Sequence, residues 1–246
     1  MINYKLKGMG VALITPFNAD ESINYDTLAR LIEYQIKNGT DYLVVCGTTA
    51  ETPTLTDQEK EEIRKFVIQI NQKRLPIVYG IGGNNTKHVV DIIRNTDLNG
   101  VDAILSVTPY YNKPSQEGLY RHYAAIAEAS PLPVILYNVP GRTGVNMSAA
   151  TTLRLANDFP NIQATKEASG NFTQIDDIIK NKPADFMVIS GDDGITFPLI
   201  TLGAVGVISV IGNAFPKEFS RMVRLALEGD YEKARTFAGI ANKKAI

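Results

Sequence analysis

Short runs of β-branched and other apolar residues alternate along this chain with longer stretches whose apolar residues recur every three or four positions. The first run, GVALIT at 10–15, precedes a stretch carrying Leu28, Leu31, Ile32 and Ile36 on one helical face. YLVVC at 42–46 precedes Ile63, Phe66, Val67 and Ile70, and PIVYG at 76–80 precedes Val89, Ile92 and Ile93. The runs at 103–107, 134–137 and 162–166 lead into Leu119, Tyr123 and Ile126, into Leu153 and Leu155, and into Ile175, Ile178 and Ile179. Those at 186–190 and 206–210 lead into Leu199 and Leu202, and into Phe219, Met222, Val223 and Leu227. Thr56-x-x-Glu59 is a capping box, in which each side chain satisfies a free backbone N–H at the helix start. Pro216 and Gly229 bracket the eighth helix as start and stop signals.

Eight strand–helix units at near-regular spacing predict an α/β chain with a parallel sheet. The strands read as continuous apolar runs rather than alternating ones, as expected where helices cover the sheet. A doubly wound sheet would carry a glycine fingerprint after its first strand, and GVALITPF lacks one. The pattern therefore predicts a closed TIM (β/α)8 barrel over 1–229. The remainder, 230–246, reads as one further helix through Tyr231, Ala234 and Phe237 that stops abruptly.

Composition narrows the class. At 246 residues the chain has the size of one such barrel, and 44% apolar with 21% charged residues is ordinary for a globular protein. A net charge of −1 leaves no electrostatic footprint for nucleic acid or an anionic membrane. No run approaches the ~20 apolar residues of a membrane span, and Met1-Ile2-Asn3-Tyr4-Lys5 lacks a signal peptide's apolar core. The lone Cys46 forms no internal disulfide framework and reads as a small apolar strand residue. His88 and His122 are well separated and no Cys/His ligand spacing occurs, so no metal and no cofactor are expected. The expectation is a soluble cytoplasmic protein.

In such a barrel reactive groups gather where strands end and loops begin. Lys166 ends the sixth strand, whereas the other lysines fall on helices, loops or termini. Desolvation of a strand lysine at the barrel mouth lowers its pKa and frees the amine for attack on a ketone. Taken alone, such a lysine is more simply read as reaching a neighbouring carboxylate, such as Glu167. Its neighbours turn the reading toward catalysis. Tyr137 ends the adjacent strand and can pass protons while a carbinolamine forms and collapses, although core packing is the alternative. Thr48 and Thr49 offer hydroxyls and N–H groups for a proton relay or a carboxylate, or else cap a turn. Arg142, after Pro140-Gly141, presents a fork suited to a carboxylate, or else a surface ion pair. Gly80-x-Gly82-Gly83 is a weak phosphate signal, because a tight turn needs the same residues.

Gly47-Thr48-Thr49-x-Glu51, Thr108-Pro109-Tyr110-Tyr111-Asn112, Tyr137-Asn138-Val139-Pro140-Gly141-Arg142-Thr143-Gly144, Lys166-Glu167-Ala168-Ser169-Gly170 and Ser190-Gly191-Asp192-Asp193 resemble, in order and spacing, the successive signatures of the dihydrodipicolinate synthases. The resemblance runs from Gly8 to about Ala238. It implies condensation of pyruvate with aspartate 4-semialdehyde through a lysine imine, on the diaminopimelate route to lysine. Carried onto this chain, Lys166 forms the imine, and Tyr137, Thr48 and Tyr111 form the relay, with Tyr111 crossing from a neighbouring subunit. Thr48 and Thr49 hold the pyruvate carboxylate, Arg142 holds the semialdehyde carboxylate, and Ile208 and Gly191 line the substrate pocket. Tyr110 packs across a subunit interface, and the family implies a homodimer or homotetramer.

Three departures accompany the resemblance. Ala50 stands where glycine is usual, tolerable unless that position needs positive φ. In the feedback site for lysine, Asn84 and Tyr110 match, but His88 replaces a common glutamate and Lys60 a common histidine. Exchanging an anion for a neutral ring, and a weak base for a cation, predicts weak or absent inhibition by lysine. The family's small C-terminal helical region is largely missing, 230–246 being its start. Two alternatives share the lysine and tyrosine or the barrel. One is another pyruvate-dependent aldolase, for N-acetylneuraminate or a 2-keto-3-deoxy sugar acid. The other is an inactive pyruvate-binding barrel. The Pro-Gly-Arg-Thr-Gly run and the paired tyrosines favour the synthase.

Overall fold

A computed structural model describes residues 6–244, with side chains through 239; the opening five residues, read above for a signal peptide, and the last two lie outside the described residues. In chain order the elements are β1 (Gly8–Ala12), α1 (Tyr25–Lys37), β2 (Tyr42–Val45), α2 (Asp57–Asn71), β3 (Ile77–Gly80), α3 (Thr86–Asn95), β4 (Ala103–Val107) and α4 (Gln116–Ala129). There follow β5 (Val134–Asn138), a one-turn α5 (Pro140–Thr143), α6 (Ala149–Asp158), β6 (Ile162–Glu167), α7 (Phe172–Asn181), β7 (Met187–Ser190), α8 (Thr196–Leu202), β8 (Gly206–Ser209), α9 (Pro216–Leu227) and α10 (Tyr231–Lys244). The eight strands are parallel and close into a barrel in sequence order, with β1 pairing β8. The expected TIM barrel is the fold.

Alternation along each strand sorts side chains into two shells. Inward positions such as Ala12, Val44, Val78, Leu105, Ile135, Ala164, Met187 and Ile208 fill the barrel. Outward positions such as Val11, Leu43, Ile77, Ile104, Val134 and Val188 pack under the helices. Tyr42 plugs the interior above Gly10, where a Cβ would fall 2.1 Å from its ring, and its hydroxyl donates to the Val207 carbonyl at 3.2 Å. The seam between the first and last strands is just as tight. Gly206 adopts φ +148, and a Cβ there would meet the Gly8 carbonyl oxygen at 1.9 Å.

The first strand starts and ends earlier than the apolar run at 10–15 predicted. Pairing with β8 begins at Gly8, and after Ala12 the chain leaves the ladder through a last bond from Leu13 N to Val44 O. Partners on both sides, rather than local hydrophobicity, set those ends. Beyond the eight strand–helix units, Pro140 at its first position and Gly144 in a left-handed exit make α5 a helical turn. The helix expected after residue 230 is present as α10, and its Ala234 packs against Phe219, Met222 and Val223 of α9.

Six helices open with a side-chain cap: Asn24, Thr56, Asn85, Ser115, Ser148 and Asn171 each accept the N–H three residues on. Each such cap is worth about 1 kcal/mol. All of them lie where a βα loop enters its helix, so they hold the loops at the C-terminal mouth of the barrel. No helix among the described residues is long and apolar enough to cross a membrane.

Candidate active site

The site is built around a register irregularity. Val134 lies opposite Ile162, but Ile135 lies opposite Ala164, so Gln163 is bulged out of the pairing between β5 and β6. One extra residue reverses which face every following side chain takes. Without it, a regular strand starting with Ile162 outward would turn Lys166 outward too. With it, Lys166 lies opposite Tyr137 and shares the interior with Ala164 and Tyr137, while Glu167 lies opposite Asn138 on the outer face.

That division separates the lysine from the carboxylate beside it in sequence. Glu167 is enclosed and engaged elsewhere, accepting from Asn138 Nδ2 at 3.0 Å, from Ser169 Oγ at 2.7 Å and from Gln174 Nε2 at 3.5 Å. Burial pushes its carboxyl up, and these donors pull it back. The alternative of a lysine reaching Glu167 is therefore not the arrangement found. Lys166 is 5% exposed, and its Nζ stands 4.1 Å from the centre of the Tyr137 ring. Burial is the main influence on its amine and brings it down from 10.5 to about 8; the charge of Asp193 opposes this and that of Arg142 adds to it.

Tyr137 is also buried, which pushes its phenol up, while a hydrogen bond with the Thr48 side chain and the Arg142 charge pull it down. Thr48 sits in a 3-10 turn, Thr48–Ala50, that follows β2. Two hydroxyls pin this turn: Thr15 donates to the Ala50 carbonyl at 2.8 Å and Thr52 to that of Gly47 at 2.6 Å. Thr49 lies half-buried in the same turn. Ala50 is buried with negative φ, the left-handed position falling instead on Glu51 at φ 57, so the methyl replacing glycine is accommodated. Arg142 projects from α5, which Thr143 fixes by donating to the Val139 and Val145 carbonyls.

Gly191, just past β7, presses on the lysine stem. A Cβ there would lie 3.0 Å from Lys166 Cε and 2.8 Å from Ala168 Cβ. Ile208 is buried on β8 within the barrel interior. Asp193 escaped the sequence reading as a site residue, though it stands in the Ser-Gly-Asp-Asp run. Its position one loop away from Lys166 in space is the signal, and only strand order supplies it.

A cavity of about 850 Å³ is lined by Thr48, Tyr137 and Arg142 together with Lys60, His88, Tyr110 and Tyr111, whereas Lys166, Thr49, Gly191 and Ile208 are not among its lining residues. Three of the four residues matched to an effector site thus share a cavity with Thr48, Tyr137 and Arg142. The fourth, Asn84, donates through Nδ2 to the Tyr110 carbonyl at 3.2 Å. Lys60 pairs with Asp57 at 3.0 Å. Tyr111, though on the cavity wall, is 89% exposed and its backbone is left-handed at φ 71. No cluster of His, Cys, Asp or Glu suited to a metal ion occurs among the described residues.

The profile of the Dihydrodipicolinate synthetase family matches residues 5–243. The 4-hydroxy-tetrahydrodipicolinate synthase of Parabacteroides distasonis is 69% identical over 236 residues, covering 96% of this chain and 80% of that protein. Among solved structures, chloride-inhibited dihydrodipicolinate synthase from Acinetobacter baumannii complexed with pyruvate superimposes with a TM-score of 0.93 at 43% identity, covering 96% of this chain and 81% of that one. A monomeric dihydrodipicolinate synthase variant gives a TM-score of 0.93 at 38% identity, with 97% and 80% covered. The chain spans about four fifths of the length of these relatives.

Proposed function

The chain belongs to the dihydrodipicolinate synthetase family and is a lyase, and from that premise we propose that it condenses pyruvate with aspartate 4-semialdehyde through an imine on Lys166. The observation that carries this reading is an amine at the barrel mouth, stripped of water and set against the Tyr137 ring.

The neutral Lys166 amine adds to the ketone carbon of pyruvate, and the carbinolamine loses water to give a protonated imine. Tyr137, with Thr48 favouring its ionised form, carries protons to and from the departing oxygen. Loss of a methyl proton then gives an enamine, whose carbon attacks the aldehyde of the second substrate. The amino group of that substrate closes on the imine carbon and expels the lysine amine, leaving 4-hydroxy-tetrahydrodipicolinate. Thr48 and Thr49 receive the pyruvate carboxylate, with Ile208 and Gly191 shaping the pocket, and Arg142 receives the carboxylate of the semialdehyde. The product feeds diaminopimelate and lysine synthesis in the cytoplasm.

Tyr111 completes the relay from a second copy of the chain in a homodimer or homotetramer. An exposed aromatic ring on a left-handed backbone supports that placement. His88 and Lys60 on the cavity wall, where the family commonly has a glutamate and a histidine, support weak or absent feedback by lysine.

A pyruvate-consumption assay tests the substrate directly. Turnover with aspartate 4-semialdehyde that exceeds turnover with N-acetylmannosamine by at least a hundredfold, and that is little changed by added lysine, is the expected outcome. Faster consumption with the sugar aldehyde would make the chain an aldolase of the sugar-acid type instead.

A further inference from the structure

Imine chemistry asks two opposite things of one buried nitrogen. The amine must lose its charge to attack, yet the imine must gain a proton before the neighbouring carbon can be deprotonated. Burial serves the first need and works against the second, because a cation in a low-dielectric pocket is costly unless an anion faces it. Glu167 cannot be that anion, since β6 turns it to the outer face and three donors hold it there. Arg142 brings a further positive charge.

Asp193 has the required place. Lys166 lies opposite Ile189 of β7, and the loop leaving that strand runs through Gly191, in contact with the lysine stem, to Asp193. Its Oδ2 accepts from the backbone N–H groups of Val210 at 3.0 Å and Ile211 at 2.8 Å, and the nearby Ser209 hydroxyl also favours the charged form. These bonds fix the carboxylate to the segment that follows Ile208. Its Oδ1, by contrast, is buried and has no hydrogen-bond partner among the described residues. An enclosed carboxylate oxygen left without a donor is unusual. The charged groups acting on Lys166 are Asp193 from the β7 loop and Arg142 from α5, with the Tyr137 phenol from β5 against its amine.

We infer that Asp193 is a positioning residue for the reaction: its carboxylate is the counter-charge that holds the imine on Lys166 in the protonated form, while fixing the chain after Ile208 that borders the substrate. This rests on the Lys166 reading above. The carboxylate exchanges no proton or bond in the step; the imine nitrogen keeps the proton it receives as water leaves.

Asp193→Asn separates charge from shape, since the amide oxygen still accepts from Val210 and Ile211. Borohydride trapping of pyruvate is measured from pH 6 to 10 in the intact chain and the variant, with melting temperature alongside. The expected result is an unchanged melting temperature, a trapped fraction at pH 7 reduced about tenfold, and a midpoint for amine reactivity moved to lower pH. A variant that traps as the parent does, with the same midpoint, overturns the inference. Should the amide variant fail to fold, Asp193→Ala with added formate decides: trapping restored by formate, and not by an equal concentration of chloride, supports the counter-charge, and no restoration overturns it. If the unaltered chain traps no pyruvate at all, the Lys166 reading falls instead.

Discussion

What sets Lys166 apart from a solvated lysine is where its nitrogen is kept. With the amine brought down to about 8 from 10.5, about 300-fold more of it is uncharged at pH 7 than for a solvated lysine. Because the neutral form attacks, imine formation should rise about tenfold per pH unit below 8 and level off above it. Stopped-flow measurement of pyruvate binding against pH checks this, and a profile still climbing steeply at pH 9.5 would contradict it. The sequence singled out this lysine by its place at a strand end. It could not show which way the side chain points, because the Gln163 bulge reverses the parity of the strand and depends on the pairing with β5. Nor could it pick Asp193, whose relation to Lys166 arises only when β6, β7 and β8 lie side by side.

The eight helix–strand units were legible because helical periodicity and caps such as Thr56 and Ser148 are local signals. The ends of β1 and the turn at α5 were not, since they depend on neighbours across the barrel. Between α3 and α4 lies a polar contact that hydrophobic patterning also missed. His122 is buried on α4, its Nδ1 hydrogen-bonded to Thr86 Oγ1 at 2.8 Å and its Nε2 without a partner among the described residues. Burial brings this ring down from 6.5 to about 4. The folded form therefore refuses a proton that the unfolded chain accepts below pH 6.5. Stability should fall as pH drops from 6.5 toward 4, by about 3 kcal/mol in all, with no such effect above 6.5. Urea unfolding of the parent and of His122→Gln at pH 7 and pH 5 measures it. The variant should lose less stability on acidification; equal losses would mean that the ring protonates freely.

The barrel places Tyr111 on the wall of the same cavity as Tyr137 yet leaves it 89% exposed, on a backbone conformation that costs a non-glycine residue about 1 kcal/mol. In the proposed assembly a second copy of the chain gives that arrangement a purpose. Sedimentation velocity should show a dimer or larger species at micromolar concentration. Tyr111→Ala should lower kcat by about a hundredfold, within the range for loss of a proton-relay group, while changing the melting temperature of the barrel little. A monomer with full activity, or a variant as active as the parent, would remove Tyr111 from the relay.

Every step of the proposed reaction passes through one covalent bond, so its location is the sharpest thing to measure. After incubation with pyruvate and reduction with borohydride, digestion and mass spectrometry should find the added three-carbon acid on Lys166, and Lys166→Ala should carry none while keeping its fold. Modification at another lysine, or none in the folded parent protein, would contradict the account.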